Sequence, residues 1–136
     1  LSNMTPQFYK FNRGIWKQLQ ANVRKWVKRR KSIYVFTGPL YLDKNGNSTK
    51  IFKSMGENKI AIPTHFYKIV VANFSSDKEL DAIAFILPNK AYPTSRIPNF
   101  IVSIDDIEKS SSIDFLYELE DSIENTLESK KALLWN

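Results

Sequence analysis

The sequence predicts an α+β protein, a largely antiparallel sheet with helices packed against it. Three observations carry that reading. Apolar positions Ile15, Leu19, Val23, Trp26 and Val27 recur at three- and four-residue steps, the spacing of an amphipathic helix. Short runs rich in β-branched and aromatic residues follow, punctuated by Gly, Pro and Asn turn signals. The chain closes on an acidic amphipathic pattern that uses Leu119, Ile123 and Leu127. Strands grouped between helices, without regular alternation, are the mark of the α+β class.

Leu1 to Thr5 reads as the close of a strand broken by Pro6. A long helix is expected from about Asn12, with Asn12 as a plausible N-cap. Its polar faces carry Lys17, Arg24, Lys25, Lys28, Arg29 and Arg30, and cations in the last turns suit the helix dipole. Gly14, early in this helix, admits a close approach of another backbone or a ligand. Ile33 to Thr37 reads as a buried strand stopped by Gly38-Pro39, and Asp43 to Asn47 as a turn. Lys59 to Phe74 is strand-like, with Pro63 marking an edge or a start. Ala82 to Leu87 is a further strand ended by Pro88-Asn89, and Ala91 to Pro98 a loop. Phe100 to Ile104 leads into a capped helical turn at Asp105-Asp106, and Glu118 to Lys131 forms the last helix. No repeat, low-complexity segment or linker interrupts the pattern, so a single domain is expected.

The 136 residues suffice to bury one sizeable core. There is no cysteine, which excludes a disulfide framework, a thiolate metal site and a cysteine nucleophile. No stretch nears the roughly 20 apolar residues of a membrane span, and no N-terminal signal pattern is present. The net charge of +6 is segregated: residues 1–42 hold nine Lys and Arg and no acid. Residues 43–136 hold eleven basic and fourteen acidic residues. A basic half of this kind suits a phosphate-rich partner, nucleic acid or anionic membrane; a plain solvated face is the alternative.

Few residues suggest chemistry on their own. His65, the one histidine, lies at an alternating strand position with no carboxylate near it in sequence, which favours a structural role. The pairs Asp105/Asp106 and Glu120/Asp121 lie at helix starts or on a polar face, where they serve the dipole and solubility; a magnesium site built from them has no further support. Trp16 and Trp26 are interleaved with cations, as on a nucleic-acid surface, but partly follow the apolar stripe, which favours the core.

Three ordered segments carry a resemblance: Leu1-Ser-Asn-Met-Thr-Pro-Gln7, Asn12-Arg-Gly-Ile-Trp16 with Leu19, and Tyr34-Val-Phe-Thr-Gly-Pro-Leu40. With Ile62 to Lys68, Ile101 to Glu108 and the acidic helix, they resemble the DNA/RNA non-specific endonucleases over nearly the whole chain. These are the ββα-metal (His-Me finger) nucleases, secreted bacterial enzymes and mitochondrial endonuclease G among them. The resemblance implies a Mg²⁺- or Mn²⁺-dependent hydrolase that cuts phosphodiester bonds of DNA and RNA with little sequence preference. It implies that Asn12 is the direct protein ligand to the metal. A hydrated Mg²⁺ commonly takes only one or two protein oxygens, so a neutral ligand is chemically reasonable. Asn3 matches an asparagine with a supporting role. Arg13, Lys17 and Arg24 are the expected contacts to the phosphate backbone, with further cations at 28–31.

Two departures sharpen the reading. The family's base is a histidine in a D-R-G-H motif that this sequence lacks, and the chain begins at Leu1, not Met. The expectation is therefore the C-terminal portion of a larger domain, with the His-bearing strand upstream of Leu1. Where the family has a glutamate that contacts metal-bound water, this chain has Gln20. On an ideal continuous helix Asn12 and Gln20 would lie about 12 Å apart along the axis and about 80° apart around it. Gln20 can orient water but brings no charge, so reduced activity is expected. A nuclease-fold domain that binds nucleic acid without cutting it is the rival reading; a basic membrane-surface protein is the third. A homodimer and a secreted or periplasmic bacterial location complete the expectations.

Overall fold

The computed structural model describes residues 7–30, 32–49, 54–55, 60–73, 80–115 and 121–135. Two helices open the described chain, α1 (Tyr9–Arg13) and α2 (Ile15–Arg29). Strands follow as β1 (Tyr34–Leu40), β2 (Ser54–Met55), β3 (Ile60–Ala61), β4 (His65–Ala72) and β5 (Asp81–Pro88). A 3₁₀ helix at Thr94–Phe100 then leads into β6 (Ile101–Val102), α3 (Ile104–Ser111) and α4 (Asp121–Ser129). The α+β expectation holds.

The main sheet is antiparallel in the order β1-β4-β5-β6, with β2 and β3 forming a separate two-stranded ribbon. Alternation along β4 decides which side chains go where. Phe66, Val70 and Ala72 join Phe11, Ile15, Trp16, Leu19 and Trp26 of the first two helices in one buried cluster. Tyr67, Ile69 and Val71 join Ile104 and Ile107 of α3 and Leu127 of α4 in a second. Helices thus cover both faces of β4. A strand so covered reads as a continuous apolar run, as Phe66 to Ala72 does apart from Lys68. Trp16 and Trp26 are 1 % exposed, so packing is their role.

Several boundaries differ from expectation for identifiable reasons. β1 continues through Gly38-Pro39 to Leu40 instead of stopping there. It lies at the sheet edge, where a missing N–H is tolerated. Gly38 faces Tyr67 in the ladder, and a Cβ there would lie 2.6 Å from that ring. Within the strand-like run 59–74, Pro63 marks a boundary as expected: β4 starts after it at His65, and the short β3 precedes it. The expected loop at 91–98 ends in the 3₁₀ helix. The expected helical turn at Asp105-Asp106 is α3, held by a capping box between Ser103 and Asp106. The Asp43–Asn47 turn forms as read, with Asp43 Oδ1 accepting from the N–H groups of Asn45 and Asn47 and Gly46 at φ +81°. The expected strand at Leu1–Thr5 and the start of the last helix, Leu119 and Glu120 included, lie outside the described residues. Among the described residues no helix is long and apolar enough to cross a membrane.

Candidate functional site

The segment Phe11 to Trp16 rests on aromatic packing. Phe11 stacks on Trp16 at 5.4 Å and on Phe66 of β4 at 5.6 Å, and Trp16 meets Phe66 at 5.7 Å. Phe11 is the one buried residue of α1, so this five-residue helix is anchored to the sheet by a single ring. Its entry is tied elsewhere. The Phe8 N–H donates to Asn89 Oδ1 at 3.0 Å, and the Asn12 N–H donates to the Phe8 carbonyl at 3.0 Å. Asn89, buried after β5, also donates from Nδ2 to the Pro63 carbonyl at 3.0 Å.

Gly14 separates α1 from α2. Its backbone lies at φ −103°, ψ −109°, and a Cβ would stand 2.7 Å from the Lys10 carbonyl oxygen. The close approach expected at this glycine is therefore real, and its partner is backbone. The break corrects two expectations. Asn12 is the fourth residue of α1, not the N-cap of a long helix; the N-cap of α2 is Gly14. The continuous-helix spacing between Asn12 and Gln20 also does not apply, because the helix is interrupted between them.

Asn12 and Arg13 are exposed on α1, the Arg13 guanidinium lying 5.1 Å from the centre of the Tyr9 ring. Lys17 and Arg24 are exposed on α2, and Gln20 is half-buried between them. On the uninterrupted α2 these three lie within about 60° of one another around the axis, one polar stripe beside the buried face. Asn3 lies outside the described residues.

Other polar groups sit apart from this stripe. His65 opens β4, half-buried, with Nδ1 2.8 Å from Thr64 Oγ1. Burial, then the charge of Lys90, lowers its pKa, so the ring is neutral near pH 7. Asp106 is taken up by the capping box. Carboxylate oxygens of Asp105, Glu108 and Glu128 lie within 4.8 Å of one another and could receive a cation. They belong to α3 and α4, across the sheet from Asn12.

The sequence matches the family of DNA/RNA non-specific endonucleases over residues 1–122. The chain belongs to that family. It is 39 % identical to nuclease C1 of Cunninghamella echinulata var. echinulata, over 88 % of this chain and 49 % of that protein. It is 36 % identical to mitochondrial endonuclease G of Caenorhabditis elegans, over 99 % of this chain and 46 % of that protein. In a crystal structure of an EndoG/EndoGI complex, one chain superposes with a TM-score of 0.73 at 34 % identity. That match covers 86 % of this chain and 49 % of the other, and confirms the ββα-metal nuclease fold class. The chain spans about half the length of the curated relatives it matches. The expected secreted or periplasmic bacterial location is overturned, because relatives in worm, mouse and yeast are mitochondrial nucleases. Nothing in composition or charge had encoded a compartment.

The surroundings of Asn12 fit a metal of the kind these endonucleases use. Asn12 presents an exposed neutral amide oxygen that can serve as one oxygen ligand. Such a donor set suits a largely hydrated hard cation. Sequence reasoning passed over two residues of this region, Lys68 and Asn89. A lysine inside the apolar run FYKIVV was a signal, because lysine is almost never fully buried without a partner. Asn89 gave none beyond ending a strand.

Proposed function

We propose that the protein is a divalent-metal-dependent endonuclease that hydrolyses phosphodiester bonds in DNA and RNA with little sequence preference, using Mg²⁺ or Mn²⁺. The observation that carries this is the setting of Asn12. It is exposed at a glycine break above a buried aromatic cluster, with the basic stripe of α2 following directly. Asn12 is the residue that would hold the metal, whose positive charge stabilises the phosphate oxygens in the transition state.

Arg13, Lys17 and Arg24 bind phosphates of the substrate backbone, which carries no sequence information and so accounts for weak preference. The half-buried Gln20 amide orients water by donating and accepting hydrogen bonds. Being uncharged, it raises that water's basicity less than a carboxylate would. Asn3 has a supporting role in the same reading. A histidine on a strand upstream of Leu1 takes the proton of the attacking water, this chain being the C-terminal portion of the endonuclease domain. Association into a homodimer belongs to the same reading and is measured by analytical ultracentrifugation.

A plasmid-nicking assay on the full-length protein tests the proposal. Cleavage in Mg²⁺ or Mn²⁺, abolished by chelator and by Asn12→Ala, is the expected result. Salt-sensitive binding without cleavage in either metal would instead make it a nucleic-acid-binding domain on a nuclease fold, the reading that Gln20 favours.

A further inference from the structure

Lys68 sits in the middle of β4 at 6 % exposure, between Thr37 of β1 and Phe85 of β5 in the ladder. Its ammonium donates to Thr37 Oγ1 at 2.9 Å and lies 4.7 Å from the centre of the Trp16 ring. Both partners are neutral, and the salt bridges among the described residues involve Asp81, not Lys68. A buried ammonium without a carboxylate is costly, and a leucine or methionine at this position would avoid that cost. The sequence nonetheless keeps a charge against the aromatic cluster that carries α1. A cation over the face of an indole prefers the ring centre and so restrains the ring's orientation. Trp16 stacks on Phe11, and Phe11 precedes Asn12.

We propose that Lys68 is a positioning residue for the nuclease site. Its ammonium, held between the Thr37 hydroxyl and the face of Trp16, keeps the Trp16–Phe11 pair and hence Asn12 in place beside the polar stripe of α2. The assignment rests on the reading of Asn12 given above. Lys68 does not reach the substrate; it acts through two rings. Its ammonium's partners, Trp16 of α2 and Thr37 of β1, and its ladder neighbour Phe85 of β5 do not titrate near neutrality. Burial pushes its pKa down to about 8, so its charge is lost as pH rises through that value.

The test compares wild type, Lys68→Met, Lys68→Arg and Thr37→Val in the full-length protein. Mn²⁺ affinity is read by electron paramagnetic resonance without nucleic acid, alongside kcat, KM, thermal melting and tryptophan emission against pH. Lys68→Met should fold with an unchanged or higher melting temperature, because it removes a buried charge. It should weaken Mn²⁺ binding about tenfold and lower kcat more than it raises KM. Lys68→Arg should restore most of the affinity. Wild-type emission should titrate with a midpoint near 8, a transition that both Lys68 variants lose. If Lys68→Met fails to fold, Thr37→Val, which removes only the hydroxyl, carries the same comparison. Wild-type Mn²⁺ affinity in the folded uncharged variant overturns the assignment. A wild type that binds Mn²⁺ without cleaving overturns the nuclease reading and leaves the Lys68 comparison readable. A wild type that binds no Mn²⁺ overturns both.

Discussion

The side-chain oxygen of Asn89 accepts a hydrogen bond from the backbone N–H of Phe8 at 3.0 Å, joining residues 81 positions apart. The bond ties the entry of α1 to the end of β5, and the Phe8 carbonyl in turn accepts from the Asn12 N–H. Asn89→Ala strands the Pro63 carbonyl and the Phe8 N–H together. We expect a loss of about 2 kcal/mol in urea unfolding, within the cost of leaving the buried Pro63 carbonyl unpaired. Metal affinity should fall in the same variant, since the segment carrying Asn12 loses its tether. An unchanged unfolding midpoint would contradict this role.

Gly14→Ala should harm the site more than the fold. The added Cβ meets the Lys10 carbonyl at 2.7 Å, so α1 or α2 must shift. Overpacking of this kind costs about 1–3 kcal/mol. A displacement of Asn12 near 1 Å can cost on the order of 100-fold in turnover. Melting and single-turnover cleavage measured on one preparation would separate the two effects.

Gln20→Glu should increase cleavage in Mg²⁺ by about tenfold, the lower end of effects from groups that act through metal-bound water. Gln20 is half-buried on α2, so a carboxylate there retains access to solvent and to a hydrated ion. Equal turnover in the two proteins at matched Mg²⁺ would show that this position does not touch the reacting water.

Two acids should shift stability with pH in opposite senses. Burial pushes the Asp81 carboxyl up, but hydrogen bonds and charge from Lys130, the Ala82 N–H and Arg30 outweigh it and hold the pKa below the usual range. Its contribution is present above the ordinary carboxylate pKa and is lost as pH falls through the lowered value. Glu108 is raised, first by burial, then by Asp114, against hydrogen bonds from Phe115 and Glu128. The folded state therefore holds that proton more tightly, and stability declines as pH rises through the carboxylate range. Asp81→Asn should flatten the acid limb of a melting-temperature profile and Glu108→Gln the limb above it.

Much of the architecture was legible in residue order. The 3- and 4-residue recurrence from Ile15 located α2, and the branched and aromatic runs located β4 and β5. Boundaries were less legible where two local rules competed. Gly38-Pro39 signals a stop, yet an edge strand tolerates a proline and Tyr67 requires a glycine opposite it. Asn12 has the composition of an N-cap but stands inside α1, because the chain breaks two residues later against its own Lys10 carbonyl.

The sequence by itself determined the α+β class, the segregated basic helix and the ordered motifs that mark an endonuclease. These are properties of spacing and composition, readable along one chain. Only the tertiary structure decided that Asn12 rides on a single buried ring, that Asn89 tethers its helix, and that Lys68 is buried against Trp16. Each of those depends on a contact between segments distant in sequence. Sheet register and packing create such contacts, and local periodicity carries no record of them.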